Sequence, residues 1–238
     1  MLLFYVRHGD PVYTPDSLTP LGREQANALA KRFALYGLDE IYASDSTRAV
    51  QTAEPTALLL KKEIVLCPWA NEGLAWGRFT VETEGGGRTW CFHDDKTKDL
   101  FNHPEVRALG AKWYDHPFFE QTNFKEGVKQ TDEAVDAFLL SLGFSHDRTM
   151  GSYQKVKDAP QRVALFAHQG MGLAVLSSIL DIPYPQVCTH FDLGHSSMTV
   201  LHFDESKSSV YPKILQSSND SHLYREGILT GYHNCIRF

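Results

Sequence analysis

LLFYVRHGD, residues 2–10, joins a run of five apolar residues to an arginine, a histidine and a glycine. The apolar run is typical of a strand that is buried on both faces. One interpretation of its end is a polar loop in which Arg7 and His8 are solvated. The other is a histidine at the carboxyl edge of a sheet, where open α/β proteins bind their ligands.

The residues after this strand predict a helix that ends at a glycine. In LTPLGREQANALAKRFALYG, Thr19 is the expected N-cap, Pro20 occupies the first helical position and Gly37 stops the helix. DEIYAS, residues 39–44, then predicts a second strand. The first part of the chain is therefore expected to be a strand–helix–strand unit.

The same alternation continues along most of the chain. A second helix is expected to begin with Ser44 or Asp45 as its N-cap, and Pro55 predicts a kink or a helix in two pieces. Further elements are expected as strands at 63–68, 162–167 and 198–204 and as helices at 128–142, stopped by Gly143, and 170–182. Strands that alternate with helices predict an α/β fold, a three-layer α/β/α arrangement with a mainly parallel central sheet.

Residues 73–125 interrupt this alternation. They include the flexible stretch EGGGR and an aromatic density above the 12% of the whole chain. We interpret the chain as a single domain over 1–238 in which residues 73–125 form an inserted, cap-like subdomain. Its aromatic residues either roof a ligand pocket or form a small core of their own, and they are Trp76, Phe79, Trp90, Phe92, Phe101, Trp113, Tyr114, Phe118, Phe119 and Phe124.

Composition excludes several classes of protein. The net charge of −6 and the pI of about 6.0 give no basic surface for nucleic acid or anionic membranes. Four scattered cysteines, at 67, 91, 188 and 235, form no CxxC pair, which argues against a zinc site or a disulfide framework. No apolar run has membrane-spanning length, and the N-terminus lacks the features of a signal peptide. We therefore expect a cytoplasmic protein.

Three predicted strands end on side chains that suit an anion. The first ends at Arg7 and His8, the second leads to Arg48 in the first turn of its helix, and RVALFA ends at His168 and Gln169. A cation in the first helical turn opposes the helix dipole and costs up to about 1 kcal/mol where it is exposed. Arg48 is therefore unfavourable for stability unless an anion lies beside it, and this favours the functional interpretation.

Several motifs also carry a family resemblance. In order and approximate spacing, they resemble the histidine phosphatase superfamily, which includes cofactor-dependent phosphoglycerate mutases and many phosphatases. The likeness covers about residues 1–75 and 125–205. The motifs are RHG, LTPLGREQA, SDSTRAVQTAEP, the glutamate of NEG, and AHQG.

The resemblance implies a role for each matching residue. His8 is the implied nucleophile that accepts the phosphoryl group, with a backbone carbonyl expected to hold its other ring nitrogen. Arg7, Arg48 and His168 are implied to grip the phosphate oxygens, so that neither a metal nor another cofactor is required. Glu72 is the implied proton donor, which needs a pKa raised towards neutrality.

Other positions leave alternatives open. Gly9 is expected to let the backbone approach the substrate, and Gln169 to add an amide donor where relatives have SHGG-like sequence. His195 is a further candidate for the site, with a structural histidine as the alternative. Glu54 and Glu82 are the rivals of Glu72 for the role of acid. A metal interpretation of His93, Asp94, Asp95, His103 and His116 follows no known spacing, and a polar surface explains them better.

The segment DPVYTPDS, between RHG and LTPLG, separates the possible activities. Cofactor-dependent mutases carry a longer segment there, with a tryptophan and asparagines that this chain lacks. The resemblance therefore implies phosphomonoester hydrolysis of a small organic phosphate, with a phosphoglycerate mutase and a non-catalytic phosphate-binding module as the alternatives. A homodimer is plausible in such a superfamily. The aromatic insert favours a substrate with a bulky organic group.

Overall fold

The structure is a computed structural model, and it describes residues 1–230. Cys235, one of the four cysteines considered above, lies outside the described residues. Cys67, Cys91 and Cys188 are buried free thiols. Within the described range, no helix combines the length and the apolar character needed to cross a membrane.

The secondary structure follows the predicted alternation of strands and helices. The strands are β1 (Leu2–Arg7), β2 (Pro11–Tyr13), β3 (Asp16–Leu18), β4 (Glu40–Ala43), β5 (Ile64–Leu66), β6 (Thr80–Glu82), β7 (Arg88–Trp90), β8 (Phe144–Asp147), β9 (Ser152–Lys155), β10 (Arg162–Ala167), β11 (Met198–His202) and β12 (Lys213–Asn219). The helices are α1 (Pro20–Tyr36), α2 (Thr47–Leu60), α3 (Glu72–Arg78), α4 (Asp95–Phe101), α5 (Pro104–Ala108), α6 (Phe124–Ser141), α7 (Gln169–Leu180), α8 (Tyr184–His190) and α9 (Ser221–Arg225).

The central sheet has the strand order β12-β11-β1-β10-β4-β5. Strands β1, β10, β4 and β5 run parallel, and β11 joins β1 as an antiparallel neighbour. Helices cover both faces of this sheet, so the prediction of an α/β fold with a mainly parallel sheet is confirmed. Because parallel strands place their carboxyl ends at one edge, β1, β4 and β10 bring their following loops together.

Strand β1 supplies both faces of the core because its side chains alternate across the sheet. Leu3 and Tyr5 pack into the larger cluster, under α6, α7 and α8. Phe4 and Val6 pack into the smaller one, where Phe33 of α1 meets the Phe4 ring edge to face at 5.3 Å. The strand that carries the RHG motif is therefore buried from both sides, as its apolar sequence predicts.

The boundaries of α1 match the prediction, whereas those of α2 correct it. The Thr19 hydroxyl accepts the Gly22 N–H and caps α1. The residue that caps α2 is Ser46, not Ser44 or Asp45, because the Ser44 N–H still bonds to the Phe166 carbonyl along the sheet.

Helix α2 also continues through Pro55 as one piece. Of the two predicted alternatives, the division into two helices is therefore wrong, and the kink at Pro55 stays a prediction. Buried residues on both sides of the proline pack on the same layer, and this packing outweighs the backbone hydrogen bond that proline removes. The buried residues are Ala49, Thr52, Ala53, Thr56 and Ala57.

Helix α6 begins four residues before the predicted start. Phe124, its first residue, is fully buried and extends the helix into the aromatic core. Gly127 lies so close to the preceding segment that an added Cβ would be 2.7 Å from Cβ of Arg78 and 2.9 Å from Cζ of Phe79. Glycine at this position therefore permits α6 to pack on the residues after α3.

The inserted segment has short elements but no core separate from the rest of the molecule. Measured between ring centroids, Phe79 lies 4.4 Å and Trp113 lies 6.4 Å from the Tyr184 ring of α8. These aromatics belong to the same buried cluster as residues of α6 and α7. The insert is thus packed on the body of the domain, while its status as a distinct subdomain stays a prediction.

Candidate active site

A cavity of about 430 Å³ lies at the carboxyl edge of the sheet. At this edge the ends of β1 and β10 are joined by a backbone hydrogen bond, in which the His8 N–H donates to the Ala167 carbonyl at 2.9 Å. The cavity combines residues from β1, the β2 hairpin, α2, α3, β7 and α7. Its lining residues are Arg7, His8, Tyr13, Arg48, Asn71, Glu72, Gly73, Trp76, Trp90 and Gln169.

His8 is held with one ring nitrogen committed to the backbone. Its Nδ1 lies 2.7 Å from the Gly9 carbonyl oxygen. Because a carbonyl oxygen only accepts hydrogen bonds, Nδ1 carries the proton of the neutral ring and Nε2 carries the lone pair. Burial, followed by the charges of His168 and Arg7, lowers the pKa of His8 well below its ordinary value. The imidazole is therefore neutral at pH 7, as a nucleophile requires.

Arg7 is buried at the end of β1 and is fixed by its neighbours. Its guanidinium donates to the Leu193 carbonyl and, at 2.8 Å, to Nε2 of His195. Since Nε2 of His195 accepts, the proton of a neutral ring lies on Nδ1, 3.6 Å from an Asp10 carboxylate oxygen. The His195 ring centroid lies 5.7 Å from that of His8, so this candidate supports Arg7 beside His8.

Arg48 has the anionic neighbour that its position in the first turn of α2 required. One Asp16 carboxylate oxygen lies 2.7 Å from the Arg48 guanidinium, and the other accepts the Thr47 N–H at 2.7 Å. Asp16 thus offsets the positive charge of Arg48 and also stabilises the N-terminus of α2. Sequence reasoning missed Asp16, because it lies on the short hairpin strand β3, remote in the chain from Arg48.

The guanidinium groups of Arg7 and Arg48 each retain one buried donor. Their Nε–H groups have no hydrogen-bond partner among residues 1–230, and both residues line the cavity. A buried donor without a partner is costly, and a bound anion with several acceptor oxygens would satisfy it. The two arginines therefore give the cavity a lining that suits an anion.

His168 is fully buried behind Arg48 and does not line the cavity. Its Nδ1 accepts from Arg48 at 3.1 Å, so Nε2 carries the ring proton and donates to the Ser44 hydroxyl at 2.9 Å. Burial, then the charge of Arg48, lowers the pKa of His168 well below its ordinary value. In this arrangement His168 positions Arg48 and packs on His8 with ring centroids 5.2 Å apart.

Glu72 is the carboxylate that faces the histidine site. Its two oxygens accept the backbone N–H groups of Gly170 at 3.0 Å and Met171 at 3.1 Å, in the first turn of α7. Burial raises the pKa of Glu72 above its ordinary value, and the two backbone hydrogen bonds oppose this rise. The rival candidates, Glu54 and Glu82, are exposed and lie outside the cavity lining.

Gly9 and Gln169 occupy different positions relative to the cavity. The Gly9 N–H donates to the Thr52 hydroxyl at 3.0 Å, and an added Cβ would lie 2.7 Å from the Gly22 carbonyl oxygen. Gly9 therefore lets the loop approach α1 and is not part of the lining. Gln169 does line the cavity, and its amide donates to Asp192.

Two tryptophans of the insert form one wall of the cavity. Trp76 and Trp90 meet edge to face with ring centroids 5.0 Å apart, and Trp90 stacks on Phe92 at 5.3 Å. The sequence predicted an aromatic segment but did not distinguish these two rings from the buried ones. Tyr13 and Asn71 were missed as lining residues, although Tyr13 lies in DPVYTPDS and Asn71 precedes Glu72 in NEG.

The residues that prompted a metal interpretation do not converge. Within residues 1–230, no group of three or more His, Cys, Asp and Glu side chains is placed to hold a metal ion. Asp94 caps α4 by accepting from Thr97, and His116 lies 3.3 Å from Glu105. The expectation of a polar surface is wrong for His116, which is buried in the insert.

Over part of its length, the chain is similar to the histidine phosphatase superfamily. The model of the histidine phosphatase superfamily (branch 1) matches residues 3–86. The chain is 24% identical over 217 residues to "Putative phosphoserine phosphatase 2" of Hydrogenobacter thermophilus, covering 87% of this chain and 92% of that protein.

Two solved structures share the fold. The first is a mycobacterial glucosyl-3-phosphoglycerate phosphatase in complex with inorganic phosphate, with a TM-score of 0.58 and 20% identity over 93% of this chain and 98% of that chain. The second is a phosphoserine phosphatase variant of Entamoeba histolytica in complex with phosphoserine. It has a TM-score of 0.57 and 19% identity over 93% of this chain and 98% of that chain.

Proposed function

We propose that this protein hydrolyses the phosphomonoester of a small organic alcohol through a phosphohistidine intermediate on His8. The observation that carries the proposal is the orientation of His8. The Gly9 carbonyl holds Nδ1 at 2.7 Å and leaves the Nε2 lone pair on a ring that lines the cavity with Arg7 and Arg48. The superfamily and its phosphatase relatives support the same activity.

In the first step, Nε2 of His8 attacks phosphorus, and the bond from phosphorus to the alcohol oxygen breaks. The Arg7 and Arg48 guanidinium groups stabilise the phosphoryl oxygens, which is the main requirement of phosphoryl transfer. The cavity residues supply this charge themselves, so the proposed reaction requires no cofactor.

Glu72 acts as the general acid in the first step and as the general base in the second. As a neutral acid it donates its proton to the departing alcohol oxygen. As a carboxylate it then takes a proton from the water that attacks phosphohistidine, and this releases inorganic phosphate and restores His8. The raised pKa of Glu72 supports this dual role, because part of its population remains protonated at a higher pH than an ordinary carboxyl group.

The test is hydrolysis of 4-nitrophenyl phosphate by the wild-type protein and by His8→Ala. We expect turnover in the wild type and a loss of at least about a thousandfold in His8→Ala, since the nucleophile is removed. His190→Ala is the matched control, because His190 is exposed at the end of α8, outside the cavity lining. Acid-labile, base-stable labelling of the wild type by a radiolabelled phosphoryl donor would identify phosphohistidine.

Three results would contradict the proposal. Full activity of His8→Ala would exclude His8 as the nucleophile. Phosphate binding without turnover by pure protein would favour the binding module, and net isomerisation of phosphoglycerates would favour the mutase. The proposed homodimer and the absence of nucleic-acid partners stay predictions that this assay does not address.

A further inference from the structure

The cavity wall beside Glu72 is indole surface. Glu72 and Trp76 lie four residues apart on α3, a spacing that places side chains on the same helix face. Trp90 approaches from β7 and meets Trp76 edge to face at 5.0 Å between ring centroids. Glu72, Trp76 and Trp90 all line the cavity. The proton donor and the two indoles therefore form one continuous side of the site.

Gly170 joins this wall to the acid. A Cβ at this position would lie 2.4 Å from Cη2 of Trp90, so only glycine lets the indole lie against the first turn of α7. The same Gly170 donates its N–H to Glu72 at 3.0 Å. The indole of Trp90 and the carboxylate of Glu72 thus contact one backbone unit, which fixes the distance between them.

The position of the acid dictates where the organic part of a substrate lies. Glu72 has to reach the oxygen that connects phosphorus to the alcohol carbon, because this oxygen receives the proton. The phosphoryl group itself lies towards His8, Arg7 and Arg48. The alcohol must consequently extend from the Glu72 side, along Trp76 and Trp90.

The charge of the lining argues against an acidic alcohol. In the part of the chain that the structure describes, the lining cations are Arg7 and Arg48, and both are required by the phosphoryl group. Near the alcohol the remaining charged group is Glu72, which repels a second carboxylate when it is ionised. Asn71, Tyr13 and Gln169 add neutral polar contacts.

We propose that the preferred substrates are phosphomonoesters of uncharged alcohols that bear an aromatic or other flat apolar ring, which packs on Trp76 and Trp90. This inference rests on the proposed function and specifies its substrate class. It separates this chain from the relatives whose structures hold phosphoserine or 3-phosphoglyceric acid, since both of those ligands carry a carboxylate.

The test compares kcat/KM for 2-phenylethyl phosphate, propyl phosphate and phosphoserine, all of which release an alkyl alcohol. We expect the wild type to prefer 2-phenylethyl phosphate by at least about tenfold over each of the others, the ratio that a ring contact of about 1.4 kcal/mol provides. Trp76→Leu and Trp90→Leu should each reduce this ratio. Phe118→Leu, at an exposed aromatic of the same insert outside the lining, should leave it unchanged.

The outcomes separate this inference from the proposed function. Hydrolysis that depends on His8 but shows no preference for 2-phenylethyl phosphate, or a preference for phosphoserine, overturns the inference alone. A preference retained in both folded tryptophan variants overturns the role of the indoles. If none of the three esters is hydrolysed in a His8-dependent way, both the inference and the proposed function are overturned. The wild-type comparison decides the substrate class even if Trp90→Leu fails to fold.

Discussion

The pKa values of two side chains at the site, His8 and Glu72, are shifted in opposite directions by the same cause. Burial disfavours the charged form of each, so it lowers the pKa of His8 and raises that of Glu72. Both shifts favour the proposed first step, which needs a neutral imidazole and a neutral carboxylic acid together. The pH range in which both neutral forms coexist is thereby extended, at its acid end by His8 and at its alkaline end by Glu72.

The pH dependence of alkyl ester hydrolysis tests this pairing. Activity should fall at low pH as His8 becomes protonated, and at high pH as Glu72 loses the proton that it donates. Glu72→Gln should lower kcat/KM for alkyl phosphates by about 10²–10⁴-fold and remove the high-pH fall. The measurement is kcat/KM against pH for both proteins with propyl phosphate. A Glu72→Gln profile that coincides with the wild-type profile would refute the role of this carboxyl group.

At the scale of elements, the first turn of α7 links Glu72, the proposed acid, to the aromatic wall. Its N–H groups hold Glu72, and its glycine permits the approach of Trp90. Helix α7 follows β10, and the ends of β10 and β1 are joined by a backbone hydrogen bond at His8. This turn therefore helps to set the positions of Glu72 and Trp90 relative to His8.

Gly170→Ala tests this link. The added methyl group would displace the Trp90 indole, and we expect a loss of about 1–3 kcal/mol in the free energy of unfolding together with reduced kcat/KM. Gly77→Ala is the matched control, because no atom lies within 4 Å of a Cβ at that position in α3. There we expect a stability that is unchanged or higher by about 0.5–1 kcal/mol. Urea unfolding and ester hydrolysis, measured on both variants, provide the comparison.

At the scale of the whole molecule, the fold buries imidazoles in their neutral form. The pKa values of His8, His168 and His222 all lie below the ordinary value, chiefly because burial disfavours the imidazolium. His222 lies outside the cavity lining, on α9, where its Nε2 is 3.1 Å from the Ser196 hydroxyl. These histidines favour the folded state above pH 6.5, and that contribution is lost as the pH falls.

His222→Gln should reduce the loss in the free energy of unfolding that occurs as the pH falls below neutrality. The pKa of His222 is about 4 in the folded protein and about 6.5 in the unfolded chain. Between these values the unfolded chain binds the proton and the folded protein does not, so lowering the pH destabilises the fold by up to about 3 kcal/mol from this residue. Urea unfolding at pH 7.5 and pH 4.5 measures the difference. An equal loss of stability in the variant and the wild type would contradict the expectation.

Local chemistry made much of the fold predictable from the sequence. The buried run before Arg7, the Thr19 cap, the Pro20 start and the Gly37 stop depend on neighbouring residues, so a linear pattern contains them. The same holds for the appearance of Arg7, Arg48 and His168 at strand ends, since strands of one sheet share an edge. The resemblance added Glu72 as the acid, which periodicity alone does not indicate.

Contacts between residues remote in the chain were decided only by tertiary packing. Asp16 of the β2–β3 hairpin pairs with Arg48 of α2, His168 lies behind that arginine, and Trp76 meets Trp90 through the folding of the insert. Helix α2 likewise runs through proline because its buried face is held by other layers. No linear pattern specifies such pairs, because their separation is set by how whole elements pack and not by the residues that precede them.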